Sequence, residues 1–187
     1  MSGEYPSIDE RMRAFIEAQH VFFVATAPAG DTGRVNLSPK GLDGLRVLDE
    51  RTVAYLDLVG SGVETIAHLR ENGRIVVMFC AFQGPPNIVR LHGRGEVVEP
   101  GDRRFESLAA LFSASLGVRS VIVVHVERAS DSCGYGVPLY EYQGERTALN
   151  AWAQKKGAAG IEEYQRAKNA ESIDGLRGLR WVSDRHK

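Results

Sequence analysis

Arg34, Asn36, Ser38 and Lys40 alternate with Val35, Leu37 and Pro39 in a stretch that closes on Gly41. Residues two apart on a strand share one face. A strand beginning at Arg34 therefore sets two cations and two short hydrogen-bonding groups along one wall, until Pro39 bends the chain. Guanidinium, hydroxyl and ammonium together suit a phosphate ester, because charge strengthens hydrogen bonds to a dianion. The same alternation also describes the solvated face of an ordinary barrel strand. A second group is Asp57-Leu58-Val59-Gly60-Ser61-Gly62-Val63-Glu64-Thr65, between an expected strand and helix. Free N–H groups at a helix start attract anions, and Ser61, Gly62 and Thr65 add hydroxyls and close backbone approach. The turn lacks the Gly-Lys-Ser/Thr ending of a Walker loop, and an N-capped connection is its plain alternative. Together the two stretches can grip opposite sides of one phosphate.

Other residues with chemistry are more scattered. His92, beside Gly93 on an expected strand, can reach a cofactor edge, ligate a haem iron or sit half-exposed without a role. His125 lies in a run of valines and reads as a packed, hydrogen-bonded residue. Arg90 and Arg94 share a strand face; Arg90 is the better ligand candidate and Arg94 a solvated residue. Cys133 has no histidine near it in sequence to make it a nucleophile. Tyr135, between Gly134 and Gly136, either stacks on a ligand or plugs a tight turn.

These residues need elements to position them. Ser7-Ile8-Asp9-Glu10 has the spacing of a capping box for a helix ending near Gln19. Apolar runs at 20–27, 75–82 and 120–126 predict buried strands, and 88–98 predicts a long one whose Gly93 and Gly95 mark a bulge or close approach. Residues 45–48 and 52–56 flank Asp49-Glu50-Arg51 as a hairpin. Helices are expected from Val63 to Glu71, stopped by Asn72-Gly73, and from Asp102 to Leu111. From Thr147 the pattern turns helical around Leu149 and Trp152, with Lys155, Lys156, Arg166 and Lys168 solvated, and thins to a polar tail. Short connections demand antiparallel neighbours. The expected fold is mainly β with peripheral helices (α+β): an antiparallel barrel, residues 1–146, with 147–187 a C-terminal helical extension of the same domain.

The 187 residues carry a net charge of −1, which excludes a sequence-independent grip on nucleic acid but not a local basic pocket. Cys80 and Cys133 follow neither zinc-site nor disulfide spacing, so no metal is expected. The start of the chain has no apolar signal core and no run long enough for a membrane span, which sets the cytoplasm as the expected location.

The order of motifs carries a resemblance. Arg-Val-Asn-Leu-Ser-Pro-Lys-Gly is followed by Val53-Ala54-Tyr55-Leu56-Asp57, then Gly-Ser-Gly-Val-Glu-Thr opening a helix, Arg-Glu-Asn-Gly-Arg at 70–74, and Arg90-Leu91-His92-Gly93-Arg94-Gly95-Glu96-Val97. Over about residues 8 to 130 this resembles the pyridoxamine 5′-phosphate oxidase-like family, the FMN-binding split barrels. The resemblance implies a homodimer with FMN across the subunit interface. It places flavin contacts on Arg34, Val35, Asn36, Leu37 and Ser38, with Lys40 just beyond. Leu56 and Asp57 become strand-end contacts, and the turn from Ser61 through Gly62 to Thr65 the phosphate site; Arg90 is added from its strand position. Lys40 and Tyr135 are candidate substrate contacts. The chain departs from true oxidases in having Glu64-Thr65 where they have Arg-Lys, and in lacking their C-terminal Trp and Arg-x-His motif.

What the resemblance implies is an FMN-dependent oxidoreductase passing a hydride or electrons between flavin and a small-molecule substrate. Alternatives are an F420-dependent reductase on the same barrel, or a haem- or flavin-binding protein without turnover.

Overall fold

Every apolar run foreseen in the first 130 residues forms a strand, and all pair antiparallel. The computed structural model describes residues 3–113 and 116–183. In chain order the elements are β1 (Gly3–Tyr5), α1 (Glu10–Glu17), β2 (Phe22–Thr26), β3 (Asn36–Lys40), β4 (Leu45–Asp49), β5 (Thr52–Leu58), α2 (Glu64–Asn72), β6 (Arg74–Cys80), β7 (Ile88–Val98), α3 (Phe105–Ala109), β8 (Val118–Ser132), α4 (Ala148–Lys168) and α5 (Arg180–Ser183). The sheet runs β3-β2-β6-β7-β8-β5-β4, with β1 paired to β8. It curls into a split barrel whose two path ends, β3 and β4, are consecutive in sequence.

The interior explains the sequence patterns. β2 alternates, with Phe22, Val24 and Thr26 buried. β5 is buried on nearly every residue because both its faces are covered. Tyr55 and Val53 point into the main core, while Ala54 and Leu56 meet Phe105, Phe112, Val121 and Val123 beneath α3. Each fully buried Phe or Leu contributes roughly 1.5–3 kcal/mol. α2 ends at Gly73, whose φ of 71° is the left-handed conformation that glycine adopts freely. Gly93 sits at a register shift between β7 and β8, and a Cβ there would overlap the carbonyl oxygen of His125.

Several expectations change. Asp9, not Ser7, caps α1, accepting from the Met12 N–H at 2.7 Å; Ile8 donates its N–H to the Glu50 carbonyl, and the helix starts two residues later. The third strand begins at Asn36 rather than Arg34 and continues through Pro39, tolerated because β3 is an edge strand. β8 extends to Ser132, since β7 and β1 supply partners along its polar second half. His125 is exposed rather than packed, 3.9 Å from the Glu96 carboxylate. The segment after α4 is no polar tail: Leu179 and Val182 are buried in the main core. Among the described residues no helix is long and apolar enough to cross a membrane, and no cluster of residues could hold a metal ion.

Candidate functional site

The inner wall of β3 and the start of α2 face each other across a cleft of about 310 Å³. Register fixes which β3 side chains enter it. Asn36, Ser38 and Lys40 lie opposite Thr26, Val24 and Phe22, so they share the inner face with the core. Leu37 pairs with Ala25 on the outer face and is 64% exposed; Val35, ahead of the strand, is 74% exposed. The cleft is closed by Gly41, Leu42, Leu56, Leu58, Gly60, Gly62, Glu64, Thr65 and Arg119, with Leu149 of α4 at its edge.

A buried carboxylate underlies this wall. Asp57 ends the apolar run of β5 with no solvent contact, and its charge must therefore be paired. Arg119 does so with two contacts, Nε to Oδ2 at 2.9 Å and Nη2 to Oδ1 at 3.2 Å. The Lys40 ammonium lies 3.4 Å from Oδ1, with its side chain 20% exposed at the cleft. Arg119 also donates from Nη1 to the Gly62 carbonyl at 2.6 Å, and Asn169 donates to the Gly60 carbonyl at 3.0 Å. The turn entering α2 is thus held by its carbonyls. Val63 gives α2 no side-chain cap, so the first N–H groups of the helix carry their partial positive charge toward this end.

The opposite wall is a hydrogen-bonded chain. Asn36 Nδ2 donates to Thr65 Oγ1 at 3.0 Å and to Thr26 Oγ1 at 3.2 Å, while Ser38 donates to Asn36 Oδ1 at 3.2 Å. Thr26 Oγ1 lies 3.0 Å from Nδ1 of His68, a fully buried histidine on α2. Burial pushes the His68 pKa down, against the pull of Asp174, Glu64 and Glu71.

The rim is strained and strapped. Leu42 and Asp43 have φ of 61° and 51°, a conformation costing of order 1–3 kcal/mol each outside glycine. It is held by Glu145, which accepts the Leu42 N–H at 3.1 Å, and by the Asp43 carboxylate on Arg46. Beyond α4 the chain returns across the site. Ile173 donates its N–H to Glu64 at 3.3 Å, and Asp174 accepts both the Arg34 backbone N–H at 2.7 Å and its guanidinium at 2.5 Å. Those bonds, the backbone one foremost, hold the Asp174 carboxyl below its usual range.

The residues singled out in the sequence therefore separate. Asn36, Ser38, Lys40, Leu56, Gly62 and Thr65 line one cleft, with Asp57 beneath them. Ser61 is exposed on the adjoining turn, and Arg34 is engaged by Asp174 at its border. Arg90 pairs with Met78, and so falls on the outer face with Leu37, donating to Ser132 at 3.0 Å. Tyr135 is 80% exposed beside a separate groove of about 900 Å³ with Arg11, Met12 and Phe15. Sequence reasoning missed Arg119, His68, Thr26, Asn169 and Asp174. A signal existed for the first: Arg119 is a charge at the head of the apolar run 120–126, where burial would demand a partner.

A family model described as pyridoxamine 5′-phosphate oxidase matches residues 8–133. The chain is 39% identical to the pyridoxamine 5′-phosphate oxidase family protein ustO of Aspergillus flavus, over 94% of this chain and 77% of that protein. Among solved structures it is similar to a candidate pyridoxamine 5′-phosphate oxidase of Lactobacillus delbrueckii (TM-score 0.53, 19% identity, 67% of this chain and 94% of that one). It is also similar to HupZ of Group A Streptococcus (TM-score 0.50, 25% identity, 65% and 91%).

Proposed function

The chain belongs to the pyridoxamine 5′-phosphate oxidase family, and from that premise we propose that it is an FMN-dependent oxidoreductase whose β3–α2 cleft takes the phosphate end of the cofactor. The observation that carries this reading is the convergence of the Lys40 ammonium, the Thr65 hydroxyl and the uncapped start of α2 on one cleft. This donor set fits a phosphate ester. Lys40 and Arg119 bring two cations against Asp57, and the helix start adds its partial charge.

The Glu64 carboxylate leans over Gly62, where a side chain would collide with it, and it lessens the cationic surplus. Arg34, already neutralised by Asp174, adds little. The grip is accordingly weaker than an Arg-Lys pair at this turn would give.

Lys40 holds the anionic end, Thr65 donates to it, and Ser38 and Asn36 face the polyol that follows. Asp57 and Arg119 fix Lys40 and the turn from below. The chemistry available when FMN is bound is transfer of a hydride or electron pair at the flavin ring, and the protein's part is position and electrostatics. The ring needs a further wall, and the exposed Leu37 on the outer face of β3, with Val35 just ahead of the strand, favours a second copy of the chain as its source, making a homodimer.

The test is the visible spectrum of the purified protein and its titration with FMN, with light scattering for the dimer. A flavin spectrum, binding weakened about tenfold or more in Lys40→Ala, and a dimeric mass are expected. A Soret band, binding of F420 in place of FMN, or unchanged affinity in Lys40→Ala overturns the reading.

A further inference from the structure

The turn between β5 and α2 is held from a part of the chain far from it in sequence. Gly60 and Gly62 line the cleft, and both turn their carbonyls to buried donors. The Gly60 carbonyl accepts from Asn169 Nδ2 at 3.0 Å, and the Gly62 carbonyl from Arg119 Nη1 at 2.6 Å. The same Nη1 lies 3.5 Å from the Gly60 oxygen, so both carbonyls lean toward one guanidinium. Arg119 is 5% exposed and Asn169 is fully buried. Asn169 follows α4, 109 residues from Gly60 and outside the residues 8–133 that the family model matches.

A trans peptide group is planar, so its C=O and N–H point in opposite directions. The Gly60 carbonyl shares a plane with the Ser61 N–H, and the Gly62 carbonyl with the Val63 N–H. With both carbonyls drawn to the buried side, these two N–H groups are aimed at the open side, where Ser61 is exposed. Neither makes a hydrogen bond among the described residues. Glycine backbone rotates readily, so an untied Gly60 carbonyl is free to swing round and show an anion its lone pairs instead. The Asn169 amide has no choice of direction: a carbonyl only accepts, so the nitrogen must face Gly60. Oδ1 is thereby left buried without a partner among the described residues. That orphaned acceptor is a cost to stability, which marks the contact as one that serves position.

We propose that Asn169 is a positioning residue for the phosphate of a bound flavin: through the Gly60 carbonyl, and beside Arg119 on Gly62, it fixes the turn so that the Ser61 and Val63 N–H groups face the anion. This rests on the FMN reading for the ligand, though the tying of the carbonyls does not. The C-terminal extension thus becomes part of the cofactor site without touching the cofactor. Two oriented N–H groups, added to Lys40 and Thr65, also offset the Glu64 carboxylate at this end of the cleft.

The discriminating ligand is riboflavin, which is FMN without its phosphate. Titrations with both flavins compare wild type with Asn169→Leu, which keeps the size of the side chain and removes both the donor and the orphaned acceptor. Expected are FMN affinity about tenfold weaker and riboflavin affinity within about twofold of wild type. Unchanged FMN affinity, or equal losses for the two flavins, overturns the proposal, since general damage to the fold does not single out the phosphate. Proton–nitrogen NMR of the wild-type protein covers the case in which the variant fails to fold. The Ser61 and Val63 amide protons should move downfield with FMN and not with riboflavin; resonances that stay in place overturn the proposal. Should wild type bind no FMN, the flavin reading falls, and the same spectrum with inorganic phosphate decides the wiring alone: downfield shifts at Ser61 and Val63 uphold it, and their absence ends it.

Discussion

Arg119 and Asp57 form a doubly bonded ion pair, at 2.9 and 3.2 Å, with side chains only 5% and 1% exposed. A pair so placed serves position more than stability, because desolvating both ions cancels much of their attraction. Its geometry fixes Lys40 from below and the Gly62 carbonyl from the side, so one pair orders both walls of the cleft.

Breaking the pair from one side leaves a buried charge. Arg119→Met is therefore expected to destabilise by about 3–5 kcal/mol. Combining it with Asp57→Leu should recover a large part of that loss, since no carboxylate is left stranded. Urea unfolding of the two single variants and the double variant forms the cycle. Strictly additive losses would contradict a coupled pair.

Asp174 competes with any anion for Arg34. The pair is largely exposed on the arginine side, 67%, so Asp174→Asn should leave stability close to that of wild type. Freed of its partner, Arg34 should strengthen FMN binding by about threefold at low salt, and the gain should fade as ionic strength rises. Titrations at two salt concentrations check this. Unchanged affinity at low salt would place Arg34 outside the field of the cleft.

How much of this is legible in the sequence depends on the distance between partners. β7 is readable over its full length from apolar content and two glycines, and the end of α2 from Asn72-Gly73, because both signals are local. Alternation finds Asn36, Ser38 and Lys40, and it too is a local property. Arg34 has the right charge, but its partner Asp174 lies 140 residues away, and Asp57 and Arg119 are 62 apart. His68 and Thr26, 42 apart, meet only once α2 packs on β2. Leu179 and Val182 carry no periodicity that distinguishes them from a solvated tail, and their burial comes from tertiary packing alone.

Gly93 is a case where backbone proximity, rather than flexibility, demands glycine. A methyl group there would overlap the His125 carbonyl of β8, and backbone cannot swing aside as a side chain can. Gly93→Ala is expected to cost about 1–3 kcal/mol or more and lower the melting temperature by several degrees. Gly30, where an added methyl would meet nothing within 4 Å, is the control. Its alanine variant should melt within about a degree or two of wild type, since a surface change away from such contacts is worth within about 0.5 kcal/mol.

His68 also sets an acid limit on the fold. Burial holds its folded pKa below the ordinary value of about 6.5, although Asp174, Glu64, Glu71 and the Thr26 backbone pull it upward. The unfolded chain therefore takes up the proton at a higher pH than the folded one. As pH falls below about 6.5 the unfolded state binds more protons, and stability declines until the folded pKa is passed, where this contribution levels off. His92 is depressed too, by burial first and then by Arg128 and Arg90, so wild type carries both contributions. Comparing wild type with His68→Asn isolates one of them. Between pH 7.5 and pH 5, urea midpoints should fall less steeply in the variant, and parallel slopes would mean that His68 takes up its proton at the same pH in the folded and unfolded chain.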